Sequence, residues 1–364
     1  MANNSYKLEN MLISSSAHLR SQELKSYFKD IKDLNFDGLS NKYENHSMTR
    51  TQGNRYVMHV SNYDRGNDEL YCVDFGTMKA ERLDLNIGYG TITRCFVKGD
   101  HMLLVRYDQL MTILRDLQVI GYIEFNVKRE RCKNGHILIG RYVQQAGHTV
   151  YAVDAYTRLY RIEWQDIKDG KYAKTLLVKS NVNNFYVDRR LGLATLNLNH
   201  TLSLPNGTKV DLKAKVDAKA TWTIVACIAK CWIVCGDLES NGYAIMACIS
   251  RQGRVRKPLK LKLTSNGHVN RGVVEFAGIY SLHQAYVSGR RGIMLAIGRD
   301  GCCHLISVAY GRLSKLQSID SIVNVDVVKD ESDRIVHSVT ATGIVGEFIA
   351  GGENWTKKIT LKLI

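Results

Sequence analysis

Proline occupies only two of 364 positions, Pro205 and Pro258. No stretch is low in complexity either, so a proline-rich spacer or long flexible tail has no sequence to form from. No run approaches 18 consecutive apolar residues, which excludes a spanning helix. The first residues, MANNSYKLENMLISSS, hold no basic n-region and no long apolar stretch, so a secretory leader is not expected. Acidic residues are in deficit: 35 Asp and Glu face 50 Lys and Arg, for a net charge of +15. That balance favours acidic partners, whether protein surfaces, nucleic acid or anionic lipid.

Motifs of chemistry are also missing. There is no Ser-His-Asp order, nucleophile elbow, phosphate-binding glycine loop or His-x-x-x-His pair. Nine cysteines, an odd number without a leader, read as reduced thiols of a cytoplasmic or nuclear protein. Cys227, Cys231 and Cys235 fall four apart in CIAKCWIVC. The surrounding residues read as two strands about an Ala-Lys turn, which makes these core thiols, since a free cysteine packs as a small hydrophobe. Cys302, Cys303 and His304 are adjacent. Neighbours along a strand point to opposite faces, so the two thiols do not share an ion. The expectation is no catalytic residue, no metal and no cofactor.

What is present is a sequence of strands. After about residue 50, runs such as RYVMHV, ELYCVDF, HMLLVRY, TVYAVDA, WTIVACI and GIMLAIG follow one another between turn residues. YCVDFGT (71–77) and YAVDAYT (151–157) share Tyr-x-Val-Asp-x-x-Thr. Turns placed at Asp74, Asp116, Asp154, Asn206, Gln252, Ala309 and Gly351 give seven units with two further strands before each. Local meanders of this kind stack radially and close into a ring. The expected fold is all-β, a seven-bladed β-propeller over residues 41–364. Residues 1–40 form an N-terminal strand and helix extension. In AHLRSQELKSYFKDIKDL, Leu24, Tyr27, Phe28 and Ile31 fall at i, i+3, i+4 and i+7, which predicts a helix over roughly 17–33. The ring closes with TLKLI as the outer strand of the last blade, or with residues 5–14 added beside it.

At these turns the chain resembles the WD40-like and quinoprotein-like β-propeller superfamilies. Asp74, Asp116 and Asp154 take the Asp position of the WD40 repeat, with Val73, Arg115 and Val153 where Trp would stand. Ala152, Asp154 and Thr157 match the quinoprotein-type repeat; Arg158 replaces its Gly and Trp164 comes late, which argues against quinone binding.

The basic residues divide by place. Lysines alternating with leucine in LKLKL and ITLKLI suit outer strands, where Lys discourages edge pairing. Arginine pairs in loops suit binding, because the guanidinium fork matches carboxylate and phosphate. The candidate partner-binding residues are Arg189, Arg190, Arg251, Arg254, Arg256, Lys257, Arg290 and Arg291. The expected role is a non-catalytic scaffold within a larger intracellular assembly, docking other proteins through acidic surfaces. The alternative is RNA or DNA binding through phosphate contacts, as in a ribonucleoprotein. No small-molecule substrate is evident.

Overall fold

The computed structural model describes residues 26–39, 43–51, 54–62, 67–83, 92–98, 101–106, 110–115, 118–124, 143–153, 157–163, 176–238, 243–262, 279–298, 303–319, 338–341, 346–352 and 354–363. Among them the chain forms seven four-stranded antiparallel sheets. Six are local meanders: β2–β5 (Tyr43–Arg82), β6–β9 (Ile92–Glu124), β10–β13 (Val143–Lys179), β14–β17 (Val182–Asp211), β18–β21 (Ala220–Lys262) and β22–β25 (Ile279–Ile319). The remaining sheet joins the two ends of the chain. It runs β26 (Ser338–Ala341), β27 (Glu347–Gly352), β28 (Trp355–Leu363) and then β1 (Ser26–Asp33).

The first strand of each sheet lies inward. β2 contacts β6 and β26, β14 contacts β10 and β18, and β22 contacts β18 and β26. Apolar side chains fill the spaces between neighbouring sheets. One cluster places Leu196, Leu202 and Val210 against Trp222, Val225 and Trp232. The next sets Ile233, Cys235, Met246 and Cys248 against Met294, Ile306 and Val308. A third joins Leu295 and Leu305 to Phe348 and Ile359. Trp222 and Trp232 are almost wholly enclosed. A single meander could not cover both of its faces; radial stacking covers both. This is a β-propeller.

Two expectations are overturned here. No N-terminal helix exists over residues 26–33: that segment is β1, the outer strand of the closing sheet. The part of the expected helix before residue 26 lies outside the described residues. The reason is a β-bulge. Phe28 pairs with Leu361 and Asp30 with Thr360, so the ladder skips Lys29. An extra residue in one strand turns an i, i+3 spacing into a same-face spacing. Phe28 and Ile31 therefore both pack against the Leu361 and Ile359 cluster, at a separation that imitates a helix. It follows that TLKLI belongs to the third strand of its sheet, with β1 outside it. Residues 5–14 lie outside the described residues.

The second correction concerns the turns. Asp74 ends the third strand of its sheet, and the residues around Asn206, Gln252 and Ala309 likewise join third strand to fourth. The turn after Val153 joins the second strand, β11, to the third, β12; the turn after Gly352 also joins second to third. The two Tyr-x-Val-Asp-x-x-Thr copies thus mark different corners. At Asp74 the expected Asx-turn is formed: its carboxylate accepts from the Gly76 and Thr77 amides at 2.7 and 3.2 Å.

The chain between β1 and β2 covers a sheet edge. Asp37 bridges Lys79 in parallel, and its carbonyl accepts from the Ala80 amide at 2.7 Å. Phe36 stacks on Phe75, and Phe75 on Tyr56, with centroids 5.3 and 4.6 Å apart. A covered edge has fewer unpaired amides to offer another chain.

Candidate functional site

A meander alternates its turns between two faces. The first-to-second and third-to-fourth turns of every sheet emerge on the same side. On the three consecutive sheets β14–β17, β18–β21 and β22–β25, that side carries all eight of the arginines and lysine singled out above. Arg189 and Arg190 lie in the β14–β15 turn. Arg251, Arg254, Arg256 and Lys257 lie between β20 and β21, and Arg290 and Arg291 at the β22–β23 turn. Seven of the eight are exposed; Arg291, the first residue of β23, is half-buried.

Contacts between sheets hold these turns together. The Asn206 side-chain amide donates to the Arg251 carbonyl at 3.0 Å, across the gap from β16–β17 to β20–β21. A Cβ on Gly253 would strike the Thr208 methyl at 2.6 Å, so this glycine, at φ +78, is required by close approach as well as by backbone geometry. On the far side, the Arg256 side chain lies over Gly311 of the β24–β25 turn. The Tyr310 amide in that turn donates to the Arg290 carbonyl at 3.0 Å.

Cys231, the first residue of β19, lies on this same side, and Arg251, Arg256 and Arg290 are the cations whose charge acts on its thiol. Their positive charge, together with a hydrogen bond from Cys248, brings the Cys231 thiol down to about 7. The hydrogen bond is the larger cause, and burial opposes it. Cys248 is pushed up, by that same hydrogen bond and by burial, and keeps its proton. Across the sheet, Cys227 is pushed up by burial and by the nearby Asp188 carboxylate. On this side of the three sheets Asp188, the last residue of β14, is the lone carboxylate among the described residues, and it caps the Arg190 and Leu191 amides at 2.9 and 2.7 Å.

The sequence-based residues therefore separate into groups. Arg251, Arg256 and Arg290 are the three whose charge reaches Cys231. Arg254 and Lys257 share the first loop, Arg291 follows Arg290, and Arg189 and Arg190 sit one sheet away. Sequence reasoning missed Cys248, Lys230 and Arg312, all on or beside this face. The available signal was topological: Lys230 lies in one of its turns, Arg312 begins the strand after another, and Cys248 is next to last in the strand before a third. Cys227, Cys231 and Cys235 occupy the two-strand hairpin read from the sequence, with its turn at Ala229 and Lys230. Among the described residues no group of three or more His, Cys, Asp or Glu is arranged to hold a metal ion.

The outer strands behave differently. Lys260 and Lys262 of β21 point to solvent, in a strand whose Leu261 is buried. Lysine there shields an edge and gathers no partner arginines.

No family model matches the sequence, and no curated protein does. Solved structures do match in shape. U3-55K aligns with a TM-score of 0.59 at 11% identity, covering 91% of this chain and 98% of that one. The WD40 β-propeller domain of Doa1 aligns at 0.54 and 11% identity, covering 92% and 97%. A chain of the mitotic checkpoint complex aligns at 0.57 and 11% identity, covering 92% and 94%. What these structures share with this chain is the β-propeller fold. Identities this low speak for fold alone. No helix among the described residues is long and apolar enough to cross a membrane.

Proposed function

We propose that the protein is a non-catalytic scaffold that docks acidic segments of other proteins on its basic turn face. The observation that carries this reading is the gathering of Arg189, Arg190, Arg251, Arg254, Arg256, Lys257, Arg290 and Arg291 on one turn face of three consecutive sheets. The arginines rest on turns braced by backbone and side-chain contacts, so the forks are presented from a stiff support. A carboxylate-rich segment crossing the three sheets meets arginine throughout and a single, already capped, carboxylate at Asp188.

Nucleic acid is the less favoured partner. Single-strand binders combine a basic groove with aromatic platforms for the bases. Among the described residues the exposed large hydrophobics are Leu177, Val178, Leu198 and Tyr310, and only Tyr310 is aromatic. One ring does not make a stacking track.

The test is a pair of titrations by fluorescence anisotropy across a salt series. One probe is a Glu- and Asp-rich peptide, the other a mixed-sequence single-stranded oligonucleotide. Saturable peptide binding at low salt, stronger than that of the oligonucleotide, supports the scaffold. Oligonucleotide binding with a steep salt slope and no peptide binding moves the assignment to nucleic acid. Binding of neither overturns both.

A further inference from the structure

Among the described residues, Cys227, Cys235, Cys248 and Cys303 are buried, while Cys72 and Cys231 are partly open. The two open thiols stand in opposite settings. Cys72 is held above the ordinary value by burial, with Glu81 and Asp74 close by and Arg55 opposing them. Cys231 stands at the mouth of the basic face, beside Cys248 and three arginines.

The strand arrangement makes this placement. Ile233 pairs with Cys248 on the adjacent strand. Cys231 lies two residues before Ile233, on the same face of the sheet, so the two sulfurs are diagonal neighbours. Both belong to the cluster facing β22–β25. The turn before Cys231 holds Ala229 and Lys230 at φ 50 and 63, a two-residue hairpin without glycine that turns the chain sharply into β19. Arg256 follows the loop back over Gly311, where the Cys248 Sγ also approaches. Arg290 comes from the neighbouring sheet. The groups acting on Cys231 are thus Cys248 on β20, Arg251 and Arg256 in the β20–β21 loop, and Arg290 at the β22–β23 turn, while Cys227 of its own hairpin packs on the opposite face.

We propose that Cys231 is a modification site: a half-open thiol on the basic turn face, selective for anionic low-molecular-weight disulfides, with the arginines of the neighbouring turns as the docking point for the reagent's carboxylates. Cys248 donates its S–H to the Cys231 sulfur and so steadies the thiolate. Diagonal positions lie farther apart than a cross-strand disulfide tolerates without backbone movement, so the sulfur that Cys231 attacks belongs to an external disulfide, not to Cys248. Above about pH 7 the Cys231 proton goes to solvent. The thiolate attacks one sulfur of the reagent, a new S–S bond forms to Cys231, and the reagent's own S–S bond breaks. The second reagent sulfur leaves as a thiolate with the electron pair. Cys231 is oxidised and the departing thiol is reduced.

The experiment uses the full chain with two probes, the dianionic disulfide 5,5′-dithiobis(2-nitrobenzoate) and neutral iodoacetamide. Labelling is read peptide by peptide by mass spectrometry across pH 5–9.5. Cys231 is expected to label first, with a midpoint near 7, and Cys72 to serve as the open thiol of raised value. At pH 9, where thiolate supply no longer limits, substituting Arg251, Arg256 and Arg290 by Gln is expected to slow the anionic probe about tenfold and leave iodoacetamide within about twofold. The wild-type profile stands even if that variant folds poorly. Labelling of Cys231 no faster than Cys72, a midpoint near the ordinary thiol value of about 8.5, or an anionic preference that survives loss of the arginines overturns the proposal.

Discussion

The Tyr43 and Thr356 hydroxyls lie 3.1 Å apart, joining the first strand of one sheet to the third strand of the sheet that closes the ring. Around them, the Asn45 side-chain amide donates to Thr356 at 3.2 Å, and the Tyr43 amide donates to the Asn354 side chain at 3.0 Å. The Asn354 amide in turn donates to the Tyr43 carbonyl at 2.7 Å. Burial raises the Tyr43 phenol, and the bond to Thr356 opposes that shift. The seam between the two ends of the chain is thus polar as well as apolar.

Thr356→Val tests the seam. The isostere keeps the volume and removes the hydroxyl that Tyr43 and Asn45 use. A buried polar group that loses its partner costs about 1–3 kcal/mol. Urea unfolding is expected to show that loss, with Tyr43→Phe in the same background recovering part of it. An unchanged midpoint would assign the seam to packing alone.

The closing strand gives a second prediction. Ile31→Asp places a carboxylate against the Phe348 and Ile359 cluster. The expected loss is about 2–4 kcal/mol, the scale of burying an unpaired charge in a core that can partly open to water. Lys29→Asp, at the bulge and exposed, is expected to stay within about 0.5 kcal/mol. Equal effects at both positions would contradict β1 as a packed strand.

Packing between sheets gives a third. Trp222 is fully enclosed between β14–β17 and β18–β21. Trp222→Ala is expected to cost about 3–5 kcal/mol in denaturant unfolding. A loss below about 1 kcal/mol would contradict the stacked-sheet core.

A fourth concerns pH. Cys231 titrates near 7 in the folded chain and higher in the unfolded one. A group whose folded value is depressed contributes stability that is present above the unfolded value and is lost as pH falls through the folded value. Stability is therefore expected to gain from Cys231 as pH rises from about 7 to 9. Cys231→Ser is expected to remove that part of the slope, read from chemical midpoints at pH 6.5, 7.5 and 8.5. An identical pH slope in the variant would contradict the assignment.

Much of the architecture was legible in the sequence, because strand signals and turn residues are local. Leu261 between Lys260 and Lys262 shows the alternation that a half-buried outer strand requires. The bulge at Lys29 was not legible: Phe28 and Ile31 share a face only through a register shift set by β28, and nothing within residues 26–33 records it. The turn count suffered the same way at Asp154. Its residues repeat those at Asp74, while its place in the meander depends on how many strands precede it. The arginines of the site were found because loop arginines stand out in the sequence. That Arg251, Arg256 and Arg290 act on one thiol was hidden, since Arg290 belongs to the next sheet and Cys248 to the next strand.

Docking of acidic protein segments on the basic turn face is tested by matched charge reversals. One variant changes Arg251, Arg256 and Arg290 to Glu; the other changes Lys213, Lys215 and Lys262, exposed residues outside that face, to Glu. Both alter net charge equally. Anisotropy with the acidic peptide is expected to show loss of affinity of at least tenfold in the first and less than threefold in the second. Equal losses in the two variants would reduce the binding to net charge and contradict the site.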